Sequence, residues 1–300
     1  MNFNEKANQI AVLAREEKTL AGARQKAADA LKLDPDCVPA MLVMADYCED
    51  DDETEEWYRK AIAVSEIPLA QWLPAGGEAL WSTPIAAPYL AAREGLARFL
   101  RDCDRISDAI DEFQAILDLQ PPDVQEIRHL LLGCLLEENR NQEARQCLNG
   151  CPEDPSALWA YGRALLVFRS QAEEAGVDFS QFDDAWTQKQ ESLLELGEPL
   201  DLPQALRKAD EILIDAMKNN HWGAIFLLHP SYTLSEPEVV TVPKGTEEEG
   251  LSAAQQLVAA YYSNPSSMVW LHAVGFQWLL ENGFEEALEQ IQQAEEAEED

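Results

Sequence analysis

Three hundred residues with 46% hydrophobic content can bury a sizeable core, while 56 acidic against 22 basic side chains leave a formal charge of −34. A field of that sign repels phosphates, so nucleic acid and anionic lipid are disfavoured as partners. No apolar run approaches the roughly 20 residues that span a bilayer, and Met1-Asn2-Phe3-Asn4-Glu5-Lys6 lacks the apolar stretch of a secretory signal; a cytoplasmic protein is expected.

In chain order, Ile10-Ala11 and Ala14 predict a first helix, and Ala23, Ala27, Ala30 and Pro35 a second that stops. Met41 and Ala45 mark the next helix, followed after an acidic turn by Tyr58 and Ala61. Residues 67–88 hold Pro68, Pro74, Pro84, Pro88 and Gly76-Gly77 among Trp72 and Trp81, which predicts a loop or a broken short helix. From Tyr89, Leu96-Ala97 and Leu100 predict a helix whose partner carries Ala109, Phe113, Ile116 and Pro121. Beyond Pro121-Pro122 come Ile127, Leu130-Leu131 and Cys134, with Ala144 and Leu148 behind them. Leu158, Tyr161-Gly162 and Leu165 open a fifth pair, completed by Ala205, Ala209 and Ile212 after an interruption at 171–203. That interruption contains Phe182, Trp186, Leu193 and Leu194, which suggest a short amphipathic helix. Near the end, Ala287, Ile291 and Ala294 repeat the same spacing after Gly283.

A small residue, a large one four later and an apolar one three beyond that, closed by proline, is the second helix of a tetratricopeptide hairpin. Alanine and glycine at these places let neighbouring helices approach closely. The expected fold is all-α: a TPR-like right-handed helical solenoid of about five to seven hairpins with two irregular insertions. Its expected divisions are N-terminal hairpins at 1–66, a Pro/Gly/Trp-rich connector at 67–88, central repeats at 89–170, an insertion at 171–203 and C-terminal repeats with an acidic end at 204–300.

Several segments also resemble bacterial relatives of the suppressor-of-tumorigenicity family. Pro88-Tyr89-Leu90-Ala91-Ala92-Arg93-Glu94-Gly95-Leu96-Ala97 is similar to the segment preceding that family's central repeat. Ile127 to Leu132, Trp159 to Arg169, Ala216 to Leu228 and Gly245 to Tyr261 are similar to later segments, so the likeness covers about residues 80 to 271. The chain departs at Ala87, where the family tends to have arginine, and at His221 and Ala224, where it tends to have proline. The resemblance implies a repeat protein without an established catalytic role.

The residues themselves point the same way. His129, His221, His229 and His272 form no pair at metalloprotease spacing, no serine sits in a Gly-x-Ser-x-Gly turn, and no glycine-rich phosphate loop occurs. Six cysteines lack a Cys-x-x-Cys pair, and Cys147 and Cys151 have no accompanying histidine; free thiols without metal are expected. No catalytic residue, cofactor or metal is assigned. First helices of such an array line a groove, where Arg93, Arg128, Tyr161 and Arg163 are the candidate partner-binding residues. Guanidinium forks suit an acidic or C-terminal carboxylate group. The alternative is that each arginine pairs with a nearby carboxylate, such as Glu94 or one in the next unit.

Charge is unevenly placed. Eight of the eleven residues from Asp46 to Glu56 are acidic, and from Gly245 to Asp300 twelve acids face no Lys or Arg. Such surfaces favour a basic protein or peptide partner, unless they serve solubility alone. The expected function is therefore a non-enzymatic protein–protein interaction scaffold. A structural subunit of a larger assembly is the alternative, and an enzyme with a site in the 171–203 insertion a minor one.

Overall fold

A computed structural model describes residues 3–72, 83–119, 123, 126–176, 204–236 and 243–299. Among them every regular element is helical, and none is long and apolar enough to cross a membrane. The chain forms two compact units, Met1–Leu131 and Leu132–Asp300.

Unit 1 runs α1 (Phe3–Arg15), α2 (Leu20–Leu33), α3 (Val38–Asp46), α4 (Asp51–Trp72), α5 (Ala87–Asp102) and α6 (Ile106–Leu119). Successive helices pair as α1 with α2, α3 with α4 and α5 with α6; α1 also touches α3, and α3 touches α5. Alanine makes the first pair possible. Ala7, Ala11 and Ala14 of α1, with Ala23, Ala27 and Ala30 of α2, are fully buried in one cluster. They cost no side-chain entropy, and they leave little volume between the two backbones. Thr19 starts α2, its hydroxyl accepting from the Gly22 amide at 3.2 Å. α3 is apolar on every side, with Val38 and the run Ala40 to Ala45 buried, because it has neighbours on both flanks. On α6 the buried stripe is Ile106, Ala109, Ile110, Phe113 and Ile116, as the spacing required.

The expected break at Pro68 does not occur: α4 continues through it to Trp72. Pro68 lies on an exposed face, where water can take the carbonyl that its missing N–H leaves, while Leu69 beside it is 2% exposed and anchors the turn. Residues 73–82, with Pro74, Gly76-Gly77 and Trp81, lie outside the described residues, as do Pro121-Pro122.

The division between the units falls within α7 (Ile127–Glu137). Unit 2 continues with α8 (Asn141–Gly150), α9 (Ala157–Ala175), a 3-10 turn at Gln204–Leu206, α10 (Arg207–Asn219), α11 (Trp222–Leu228) and α12 (Pro230–Ser235). It ends with α13 (Glu247–Tyr262), α14 (Pro265–Leu271), a π-helical turn at His272–Phe276, α15 (Gln277–Glu281) and α16 (Glu285–Glu299). α9 is the hub, touching α8, α10, α11, α13 and α14. Its core partners are large: Trp159, Tyr161, Phe168, Tyr261 and Trp270 are buried, and Phe168 stacks on Trp270 with ring centroids 4.5 Å apart. Gly223 and Gly250 admit this bulk: a Cβ on Gly223 would stand 2.5 Å from the Tyr161 ring. A Cβ on Gly250 would stand 2.4 Å from Trp222 Cβ and 2.7 Å from the Gly223 nitrogen, so α11 and α13 cross almost in backbone contact.

Two expectations shift here. On α10 the buried stripe is Leu206, Ala209, Leu213, Ala216 and Met217, whereas Ala205 is exposed. The 3-10 turn ahead of α10 winds more tightly than an α-helix and sets Leu206 three residues before Ala209, in the place expected of Ala205, while within α10 Leu213 is buried and Ile212 only half-buried. Residues 171–175 belong to α9, which ends at Gly176 in the left-handed conformation (φ 59°). The remainder of the 171–203 insertion, with Phe182, Trp186, Leu193 and Leu194, lies outside the described residues.

Candidate functional site

Arg93, on α5, donates from Nε to the Tyr89 hydroxyl at 2.6 Å and forms an ion pair with Glu112 of α6. The countercharge comes from the second helix of its own hairpin and not from Glu94, which pairs with Arg98. Arg128 stands at the start of α7, its Nη1 3.2 Å from Asp123 Oδ2. The same carboxylate accepts the Ile127 and Arg128 amides at 2.9 Å each, so Asp123 caps the helix and holds the guanidinium together. Arg163 donates to the Pro152 carbonyl at 3.4 Å.

Tyr161 is a correction. It is fully buried, donating to the Asn220 carbonyl at 2.6 Å and accepting the Ala224 amide at 3.0 Å. Its phenol ties α9 to the junction of α10 and α11, and burial pushes its acidity far out of reach. It offers no surface to a partner. Leu158, Gly162, Leu165 and Arg169 lie along the same face of α9 at alternating spacings of four and three, which is why the tyrosine beside them turns inward.

Arg169 is the unexpected member of that face. Only 7% of it is exposed. Nη1 donates to the Leu136 carbonyl at 2.6 Å and lies 3.5 Å from Asn141 Oδ1; Nη2 donates to the Ala260 carbonyl at 2.6 Å and lies 3.4 Å from Ser263 Oγ. Leu136 and Ala260 sit in the last turns of α7 and α13, where the helix dipole is negative; their carbonyls also accept the Asn139 amide at 3.2 Å and the Ser263 hydroxyl at 2.9 Å. The guanidinium thus joins the ends of two helices from the middle of a third. Among the described residues no carboxylate reaches ion-pair distance, and Nε has no hydrogen-bond acceptor. Burial of the charge pushes its pKa down to about 10.

Arg169 lines an open cleft of about 350 Å³ together with Asn139, Asn141, Glu173, Asn264 and Ser266. Asn139 holds a positive φ of 55°, and Asn264 starts α14, its side chain accepting the Ser266 amide at 3.0 Å. These groups supply one cation, one carboxylate and several amides, of which the cation and the amides can hold an anion.

No protein-family model matches the chain, and no curated protein matches it.

The sequence carried one signal for this cleft. An arginine directly after Leu165-Leu166-Val167-Phe168, on the apolar stripe of its helix, must either unfold the packing or be satisfied inside it. Asn141 and Asn264 gave no comparable signal, since helix-start asparagines are common for capping alone. Among the described residues no group of three or more His, Cys, Asp or Glu could hold a metal ion.

Proposed function

We propose that the protein is a non-enzymatic interaction scaffold, a right-handed tetratricopeptide-like array whose acidic faces bind a basic protein or peptide. One observation carries the reading: in unit 1 the first helices α1, α3 and α5 touch in series while each packs on its own second helix. That is the neighbour pattern of stacked hairpins, whose use is to present an extended surface. Charge decides the class of partner. Arg93 and Arg128 already hold carboxylates, so the surplus left to bind others is acidic, as in the run Asp46 to Glu56.

A second reading, permanent subunit of an assembly, is favoured by Val12, Leu13 and Leu20, each more than half exposed on the first hairpin.

The test is affinity capture with the full chain at low and high ionic strength. A basic partner held at low salt and released at about 1 M, where the Debye length falls to about 3 Å, supports the scaffold. A stoichiometric partner unaffected by salt supports the subunit reading instead. Recovery of the chain alone at low salt overturns both.

A further inference from the structure

We propose that the Arg169 cleft in unit 2 is a binding site for a small monocarboxylate. This site is independent of the scaffold reading and can stand or fall without it.

Charge pairing elsewhere is the first argument. With 56 acids to 22 bases, the other well-covered arginines on these helices find a carboxylate: Arg93 with Glu112, Arg98 with Glu94, Arg128 with Asp123. Arg169, more buried than any of them, has only neutral oxygens among the described residues. Carbonyls and helix ends lower the cost of burying the cation without cancelling its charge. A monoanion in the adjoining cleft would cancel it.

Donor geometry is the second argument. Both terminal nitrogens are engaged by oxygens of the fold, and Nε keeps a hydrogen without an acceptor. A buried donor left unmade is costly, so an oxygen that reached Nε would be held there. Nε is sealed from solvent, and reaching it requires the lining side chains to shift. Until then the anion pairs with the guanidinium charge across the cleft wall.

The lining selects the ligand. One cation with asparagine amides, beside the Glu173 carboxylate, leaves room for a single negative charge at most, whereas a dianionic phosphate calls for more positive charge than Arg169 provides. Glu173 on the same wall, and the −34 charge of the whole chain, penalise the second charge further. A volume of about 350 Å³ admits a molecule of a few carbons or the last residue of a peptide.

Backbone amide NMR of the full chain tests the site by titration with propionate, N-acetyl-dialanine, its C-terminal amide, and inorganic phosphate at matched ionic strength. Saturable shifts at Asn139, Asn141 and Asn264 with propionate are expected, with a Kd on the order of 1 mM. Shifts with N-acetyl-dialanine but not its amide would make a chain-end carboxylate the source. Ser266→Asp adds a competing carboxylate to the lining in the first turn of α14, where a negative charge favours the helix, and should weaken binding at least tenfold. Arg169→Gln should abolish it. Because that variant removes the helix clamp, Ser266→Asp is the decisive one. The proposal is overturned by absence of saturable shifts, by phosphate binding as tightly as propionate, or by a Ser266→Asp variant with unchanged affinity.

Discussion

In unit 1, Arg93 lies between the Tyr89 hydroxyl and the Glu112 carboxylate, a pair in which both side chains keep some contact with water. In unit 2, Arg169 is deeper and answers to backbone carbonyls from two helix ends. The surrounding cores differ in the same sense. Unit 1 begins as two alanine stripes in contact, whereas unit 2 is built from Trp159, Tyr161, Tyr261 and Trp270 around buried polar ties. Alanine stripes hold helices together by proximity and tolerate small changes of angle. A guanidinium shared among three helices fixes their ends to one point, so damage there should propagate further.

The largest expected effect is therefore Arg169→Ala. It removes the clamp and leaves the Leu136 and Ala260 carbonyls with only the Asn139 amide and the Ser263 hydroxyl as donors, costing about 2–3 kcal/mol in urea denaturation. A loss no greater than that of Arg93→Ala would erase the contrast between the units. Next comes Gly250→Ala, whose new methyl collides with Trp222 Cβ and the Gly223 backbone, with an expected loss of about 2–3 kcal/mol by calorimetry. If it is neutral, α11 and α13 can separate more easily than their contact implies.

Acid should act on the two units with opposite sign. His272 is half-buried, and desolvation of its ring, with a smaller contribution from nearby His229, pushes its pKa down to about 3. The unfolded imidazole, near 6.5, takes its proton first, so its contribution is complete above that pH and is lost as pH falls toward 3. Between pH 7 and 5 the loss is about 2 kcal/mol. The carboxyl of Asp46 in unit 1 is raised by partial desolvation, against the pull of the Tyr58 hydroxyl 2.7 Å away, although the residue as a whole is exposed and water screens most of the effect. Its folded carboxyl binds a proton before the unfolded one does, so its contribution is greatest in acid and falls as pH rises through the folded value. Hydrogen exchange at pH 7 and 5 should show protection lost around His272 and retained around α3. Uniform loss would contradict the assignment.

The smallest expected effect is Arg93→Ala, about 1 kcal/mol, because water can partly replace its partners. A loss above 3 kcal/mol would make the Glu112 pair as structural as the Arg169 clamp.

The hairpins of unit 1 were legible because their stripes are local: Ala109, Phe113 and Ile116 share one face by helical spacing alone. Pro68 misled because its cost in a helix interior can be overridden by packing on either side, and the burial of Leu69 beside it is a tertiary property. The exchange of Leu206 for Ala205 ahead of α10 followed from a 3-10 turn of three residues, too short to leave a periodic signal. Tyr161 and Arg163 looked equivalent in sequence; only the packing of α11 against α9 decides that Tyr161 is sealed. Arg169 stood within a recognised segment, yet its partners lie 33 and 91 residues away. No local pattern encodes a contact of that range.

That separation also bears on biosynthesis. Arg169 leaves the ribosome 91 residues before Ala260, a delay of roughly 5–18 s at typical elongation rates of about 5–20 residues per second. During that interval the nascent α9 must keep its cationic end hydrated. Unit 1, whose helix contacts join near neighbours in the chain, can close while translation continues. The Arg169 clamp of unit 2 can close only once α13 has emerged.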